Sequence, residues 1–392
     1  MNGEGMMRYW KLSLALLLAA ALLCACGGKE PDVPQDTPTM EERTVPAWDG
    51  MTWEEHLPLD YAQSFAVDYS PEGYARITIG QETYLLVPEL DPIPENTPED
   101  VTILRQPLDN IYLQATAAMD CFRQLDAIGA ITMSGTQADG WYLPEAKEAM
   151  ESGAMVYAGK YSAPDYEMIV DKGCDLALES TMIYHNPEVK EQLERFGIPV
   201  LVERSSYESH PLGRMEWIKL YGVLLDREEE AEAYFQEQLE RLAPVLEQEN
   251  TGKTVAFFAV TSNGSVTVRK SGDYIAKAIG LAGGVYVPEK LAEDENALST
   301  MNIQMETFYD AAKDADVLIY NSTIEADLET IDQLIAKSAP LADFAAVQSG
   351  SVWCTGKSMF QESQSVGGVI LDIHTILTGG DEADLRYLRR LG

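Results

Sequence analysis

Basic side chains are few in this chain: 28 lysines and arginines stand against 64 aspartates and glutamates over 392 residues, for a formal charge of -36. The acids are spread along the sequence, which excludes nucleic acid and anionic lipid as partners, since both would be repelled. Histidine is scarcer still, at four residues: His56, His185, His210 and His374. Direct capture of Zn or Mn needs about three histidines and a carboxylate converging on one point. His56 precedes the main body and His374 falls inside a late helical pattern, which leaves too few. Cysteine builds no framework either: Cys24 and Cys26 close an N-terminal apolar run, and Cys121, Cys174 and Cys354 are scattered without metal-site spacing. Cys121 and Cys174 read as small core residues. A G-x-S-x-G elbow, a P-loop, H-E-x-x-H and G-x-G-x-x-G are all missing. Neither an enzymatic activity nor an intrinsic cofactor is expected.

What is present starts at the N-terminus. Arg8 and Lys11 flank the start of an apolar core, Leu12 to Leu23, too short to span a bilayer, and small residues lead into Cys26. Leu23-Cys24-Ala25-Cys26-Gly27 is similar to a bacterial lipobox, in which a diacylglycerol is attached to the cysteine and cleavage makes it the new N-terminus. Residues 1–25 are therefore expected to be a lipoprotein signal peptide, with Cys26 the lipidated residue. Gly27-Gly28 and the acidic, proline-containing stretch that follows read as a flexible tether over 26–48. The expected location is the outer face of the bacterial cytoplasmic membrane, held by the lipid alone.

The remaining chain is long enough for two full-sized cores. Over 49–211 a first lobe is expected. Ser64 to Pro88 alternates like an antiparallel meander, and Val101 to Leu104, Ala130 to Met133, Asp175 to Leu178 and Ile198 to Val202 are short apolar runs. Helical patterns at Ala115 to Ile128 and Pro187 to Phe196 lie between these runs, which implies a parallel sheet covered on both faces. Residues 212–249 form a helical segment, Leu212 to Leu225 then Glu228 to Gln248, long enough to brace two lobes. A second alternating region over 250–392 gives the other lobe, with strands at Thr254 to Val260, Ser265 to Arg269, Val317 to Tyr320 and Val352 to Thr355. The fold class is α/β: two lobes, each a mostly parallel sheet flanked by helices, joined by a long bracing helix, with a cleft between.

This layout resembles the solute-binding proteins of ABC importers, in the helix-braced class that captures ferric siderophores, haem or cobalamin. Gly159-Lys160-Tyr161-Ser162-Ala163-Pro164-Asp165-Tyr166-Glu167 followed by Asp175-Leu176-Ala177-Leu178 looks like the family's G-x-Y-x-x-P-N-x-E … P-D-L-V segment. Phe196-Gly197-Ile198-Pro199-Val200 is similar to its x-G-I-P-V strand entry, and Leu281-Ala282-Gly283-Gly284 to its L-A-G-G helix end. Ile303-Gln304-Met305-Glu306 ahead of Asp314 to Ile319 resembles the segment before the next strand. Their order and spacing over some 300 residues carry the likeness. Gly173-Cys174 departs from it, standing where the family has a proline before Asp175.

The resemblance implies a permease and its ATPase as partners, a monomer, and an exposed glutamate on each lobe that docks onto permease arginines: Glu167 and Glu306. Paired carboxylates on two rigid lobes suit bidentate arginine contacts, which set orientation more than affinity. The ligand is expected at the carboxyl ends of the parallel strands. Candidates on the first lobe are Gln114, Thr116, Thr181, Met182, Tyr184, His185, Arg204, Tyr207 and Arg214. On the second they are Asn263, Asn321, Lys357, Met359 and Phe360. This mixture of aromatic, thioether and amide groups suits a large, partly apolar ligand: an iron complex such as a ferric siderophore or haem, with cobalamin the alternative. His185 would suit iron or cobalt; Tyr207, His210 and Arg214 share the loop that enters the brace, where a hinge is the competing role. Direct Zn or Mn binding, a hydrolytic enzyme and a sensor without transport are the rival functions. Glu167→Arg combined with Glu306→Arg is expected to abolish uptake while ligand affinity is unchanged; normal uptake in the double variant overturns the docking assignment.

Overall fold

The structure is a computed structural model that describes residues 45–288, 300–323 and 327–392. Cys26, the signal segment and most of the expected tether lie outside the described residues. Residues 45–48, assigned to the tether from sequence, join the folded unit: Ala47 bridges to Glu95, and the Trp48 amide donates to the Glu95 carbonyl at 2.7 Å.

β2 (Phe65–Tyr69), β3 (Ala75–Ile79) and β4 (Glu82–Val87) form the expected antiparallel meander, and β1 (Glu55–His56), unmarked in the sequence, adds an antiparallel strand beside β2. β5 (Val101–Arg105) closes this sheet, parallel to β4. The sequence reading gave that run to the main parallel sheet. The difference has a physical basis, because an apolar run fixes burial but not the partner strand, and here Val101 and Ile103 pack against the buried cluster of Tyr74, Leu85 and Val87.

The first lobe proper is a parallel sheet made by β6 (Ile111–Leu113), β7 (Ile131–Ser134) and β8 (Val156–Tyr157), joined later by β11 (Leu176–Ser180) and β12 (Val200–Glu203). Between them β9 (Gly159–Lys160) and β10 (Ala163–Pro164) make a short antiparallel ribbon. The strand order is β12-β11-β6-β7-β8, so β6, only three residues long and unmarked in the sequence, is the central strand. The helix expected over Ala115 to Ile128 is a single 3-10 turn, Thr116–Ala118, followed by the short helix Met119–Gln124.

The second lobe contains β13 (Thr254–Val260), β14 (Val266–Arg269), β15 (Val285–Val287), β16 (Thr300–Ile303), β17 (Val317–Tyr320), β18 (Val352–Thr355) and β19 (Leu388–Arg390). β13 runs parallel to β15 and β17, and β17 parallel to β18. β14, β16 and β19 pair antiparallel at the margins. All of β13 after Thr254 is buried, Phe257 toward the shared core and Ala256 and Phe258 toward a second cluster, as expected for a strand covered on both faces.

The brace consists of two abutting helices, Pro211–Glu216 and Ile218–Leu225, and then a 19-residue helix, Glu228–Leu246, about 28 Å long. Every residue from Pro211 to Leu224 is buried. In the third helix Ala231, Phe235, Gln238, Leu242 and Val245 recur every three or four residues and form its buried stripe. Glu228, Glu229 and Glu230 occupy its first turn, where the backbone dipole favours acids. One hydrophobic core runs from the meander (Phe65, Ile77) through the brace (Met215, Trp217, Phe235) to the second lobe (Phe257, Ile370), so the lobes share an interior.

The brace also holds the chain that leads into the meander. Glu216, fully buried, accepts the backbone amides of Asp60, Tyr61 and Ala62 at 2.9, 2.8 and 2.8 Å, and Lys219 lies 3.2 Å away. Glu208 accepts the amides of Gln63 and Ser64 and the Trp217 indole. Gly213 is required beside them, because a Cβ there would sit 2.8 Å from the Tyr61 carbonyl. Glu216→Ala is expected to destabilise the protein by roughly 3–5 kcal/mol, since Lys219 and three amides lose their buried acceptor. Chemical denaturation measures this, and a loss below about 1 kcal/mol would show the acceptor to be replaceable.

Candidate ligand-binding cleft

Loops leaving the carboxyl ends of the two parallel sheets meet. After β7, the turn Ala138–Gly140 and Tyr142 reach the segment after β18: the Tyr142 amide donates to Gln361 Oε1 at 2.8 Å, and Gln361 Nε2 donates to the Gly140 carbonyl at 2.7 Å. Gln361 is fully buried, so this amide pins one lobe to the other. After β6, Asp120 accepts the Gln364 amide at 2.8 Å, and Arg123 lies 3.6 Å from Glu362. The lobes are therefore joined by satisfied polar contacts along one side of the cleft as well as by the brace.

Beside the Gln361 pin, Tyr142 packs edge-on against Phe360, ring centroids 6.1 Å apart, with the Lys357 ammonium 5.7 Å from the Tyr142 ring. At the ends of β11 and β12, the Thr181 hydroxyl and the Tyr207 phenol lie 3.0 Å apart, and Arg204 sits 5.6 Å over the Tyr207 ring. Arg204 also covers the Gly80 turn of the meander, and with Tyr207 it lines a recess of about 540 Å³ that includes Phe65 and Thr78. Tyr184, nearly half exposed, has its phenol held toward the protonated form, first by partial burial and then by the Glu82 charge.

Eleven large apolar side chains are exposed among the described residues, and six of them, Tyr142, Tyr157, Met182, Tyr184, Tyr207 and Phe360, lie at the carboxyl edges of the two sheets. Of these, Tyr142 and Phe360 touch one another across the two lobes. Tyr142 and Tyr157 were missed from sequence; the aromatic pair Trp141-Tyr142, soon after an apolar run and just before the helix Pro144–Ser152, was the available signal.

Other candidates occupy different places. Thr116 opens the 3-10 turn after β6 and is half-buried, and His185 is exposed at the end of the turn Thr181–His185. Asn263 is exposed and shapes the β13–β14 turn, where its Oδ1 accepts from Thr261 and Ser265. Asn321, Met359 and Arg214 are buried. Asn321 Oδ1 accepts from the Thr323 amide and hydroxyl, and Met359 belongs to the core. Arg214 donates to Ser206 at 3.0 Å and stacks 4.5 Å from the Tyr274 ring, which makes it part of the junction between brace and second lobe instead of the open cleft. His210 stacks on Tyr61 at 5.0 Å and accepts the Leu212 amide. His56 contacts Asp68, and the His374 ring contacts the Ala282 carbonyl, so the four histidines stay apart.

Gln114 is half-buried; its Nε2 donates to the Gly159 carbonyl at 2.9 Å and to the Tyr112 phenol. Gly159 has φ +86°, and a Cβ there would lie 2.4 Å from the Ala163 carbonyl, so only glycine lets the ribbon fold back. The ribbon leads into the helix Tyr166–Asp171, whose first turn exposes Glu167. Glu306 is likewise exposed in the first turn of Met305–Ala312. β16 pairs antiparallel to β14 and β14 antiparallel to β13, so β16 points with β13 and Glu306 too emerges on the carboxyl-edge side.

Two α/β lobes, a shared helical brace and exposed aromatic residues on loops beyond the strand ends are the layout of a two-lobed solute-binding protein. Residues 122–358 match the periplasmic binding protein family, and the chain belongs to that family. It is 24% identical over 308 residues to the uncharacterized lipoprotein MJ0878 of Methanocaldococcus jannaschii, covering 76% of this chain and 72% of that one. A periplasmic haem-binding protein from Pseudomonas aeruginosa has a similar fold, with a TM-score of 0.55 at 15% identity over 72% of this chain and 98% of that one. The catecholate-siderophore binding protein VctP from Vibrio cholerae gives 0.53 at 13% identity, over 71% and 95%. Proteins of this family bind solutes outside the cytoplasm and are not enzymes. No helix of the described residues is long and apolar enough to cross a membrane.

Glu179 lies beneath the cleft edge on β11, fully buried with neither carboxyl oxygen hydrogen-bonded. Burial pushes its pKa from 4.5 up to about 8. Between those values the folded chain holds a proton that the unfolded chain has lost, so stability falls as pH rises through this window, by at most about 1.4 kcal/mol per unit. Glu179→Gln is expected to be the more stable protein by roughly 1–3 kcal/mol at pH near 8, with the advantage vanishing below about 4.5. Parallel denaturation curves for the two proteins across this window would contradict it.

Proposed function

We propose that this protein captures a large, partly apolar iron complex, a ferric siderophore or haem, and delivers it to an ABC permease and its ATPase. The observation that carries the reading is the gathering of Tyr142, Tyr157, Met182, Tyr184, Tyr207 and Phe360 at the facing strand ends, with Arg204 and Lys357 each resting on an aromatic ring. A ligand with a broad apolar face buries against these rings, and the two cations receive its anionic groups, with cation–π support in place of a neutralising acid. Sugars and free amino acids use smaller, more polar pockets. Membership of the periplasmic binding protein family supports capture as the activity, and haem and catecholate-siderophore binders among the proteins of similar fold support the ligand class. The lipobox-like Cys26 supplies the anchor in this reading, holding the protein at the outer face of the cytoplasmic membrane beside its permease.

Titration of the delipidated protein with haemin, cobalamin and a panel of ferric siderophores, followed by tyrosine and tryptophan quenching, tests the ligand class. Quenching by one iron complex, weakened about tenfold or more in Tyr207→Ala or Phe360→Ala, is expected. Saturable quenching by cobalamin alone would move the assignment to a corrinoid, and no quenching by any of them removes the class.

A further inference from the structure

Arg204 is half-buried and carries its charge without an acid. Arg76, Arg123, Arg269, Arg389 and Arg390 each pair with a carboxylate, whereas Arg204 has no ion pair among the described residues. The acids around it hold other groups. Glu82 is engaged by Lys190 at 3.3 Å and by the Tyr84 phenol at 2.7 Å, Glu208 by the Gln63 and Ser64 amides, and Glu203 by the Ser205 amide. The guanidinium lies between the Tyr207 ring, 5.6 Å away, and the bare Gly80 turn, where a Cβ would sit 2.9 Å from Nη1. The other wall of its recess of about 540 Å³ is the outward face of the meander. Ala66, exposed between the buried Phe65 and Val67, is the cross-strand neighbour of Thr78, and both line the recess with Gln63 and Ser64. Tyr207 joins this recess to the strand-end loops, because its phenol lies 3.0 Å from the Thr181 hydroxyl. The meander precedes residues 122–358, the part of the chain that matches the family, so this wall is an addition to the matched body.

We propose that this recess is a ligand subsite contributed by the meander: a pendant carboxylate of the captured complex crosses the Tyr207 ring and pairs with Arg204 against Ala66 and Thr78. The inference rests on the iron-complex reading and narrows it to complexes that carry a free carboxylate arm. Charge complementarity selects that occupant. On a chain of net charge -36 an anion is repelled almost everywhere, so a guanidinium with no acid of its own is where an anionic arm can settle. The planar fork of an arginine matches a carboxylate in two-point fashion, which a lysine does not. Gln63, Ser64 and Thr78 add side-chain amide and hydroxyl donors on the meander side, and the Tyr207 ring gives the arm an apolar edge to lie along. The subsite therefore sets selectivity among complexes, while the rings of the strand-end loops hold the body common to all of them.

Paired probes that differ only in the arm test this on the delipidated protein: haemin against haemin dimethyl ester, and N-succinyl against N-acetyl ferrioxamine B, alongside the wider siderophore panel. Wild type is expected to bind the carboxylate member of at least one pair about tenfold more tightly than its uncharged counterpart. That preference is expected to disappear in Arg204→Gln and in Ala66→Glu, which sets an acid opposite Arg204. Both variants are expected to keep the wild-type melting temperature and to bind the uncharged member within about twofold of wild type, which separates a lost subsite from a damaged fold. Equal binding of both members by wild type, or a preference that survives both substitutions, overturns the subsite and leaves the importer reading intact. A preference lost in Arg204→Gln but kept in Ala66→Glu removes the meander from the subsite and overturns the proposal. Capture solely of complexes without a pendant carboxylate overturns it too. Quenching by no complex at all removes the iron-complex reading, and the subsite with it.

Discussion

Buried carboxylates that catch backbone amides are the constraint on which this architecture depends. Glu216 and Glu208 hold residues 60–64 against the brace, and Asp372, on the closing helix Val366–Thr378, accepts the amides of Arg386, Tyr387 and Leu388. Each captured segment feeds an element whose place against the core no local pattern sets: the meander in one case, the edge strand β19 in the other. An ionised carboxylate buried without partners is unfavourable by several kcal/mol, but one that accepts three amides is satisfied and directional. The acid-rich composition is therefore part of the interior wiring as well as a property of the surface.

That wiring fixes how the lobes meet. The first meander, the brace and one face of the second lobe contribute to a single core, and Gln361, Asp120 and Arg123 add polar contacts at the cleft side. With these joints in place the loops at the strand ends are presented on a rigid frame, the arrangement in which binding residues lose least entropy when a ligand arrives. The Arg214 guanidinium, stacked on Tyr274 with Glu203 and Asp273 as charged neighbours, belongs to this frame. Burial of Glu203 and Asp273 raises the pKa of both carboxyls against the pull of nearby arginines.

Much of the fold was legible because it is written in local periodicity. The stripe of Ala231, Phe235, Gln238, Leu242 and Val245 announces a helix, and the apolar runs ending at Leu178, Val202, Val260, Tyr320 and Thr355 announce covered strands. The binding loops follow from those strands, since side chains just beyond a carboxyl end fall at the sheet edge. Strand pairing was less legible. β5 and β6 are both short and apolar, and nothing within either says that one joins the meander and the other becomes the centre of the lobe.

The sequence by itself determined the class of elements, the two alternating regions, the helical segment between them and the lipobox-like site at Cys26, because each rests on neighbours a few residues apart. Only the tertiary structure decided which of the candidate residues face open space. Arg214, Asn321 and Met359 turn inward while Met182, Tyr184, Tyr207 and Phe360 turn outward, as does Tyr142, which the sequence reading missed. The joint that positions Tyr142 links it to Gln361, 219 residues away, and the neighbouring joint links Asp120 to Gln364, 244 residues away. Contacts at such separations leave no period or spacing in the sequence, and exist only once the brace has brought the two sheet edges together.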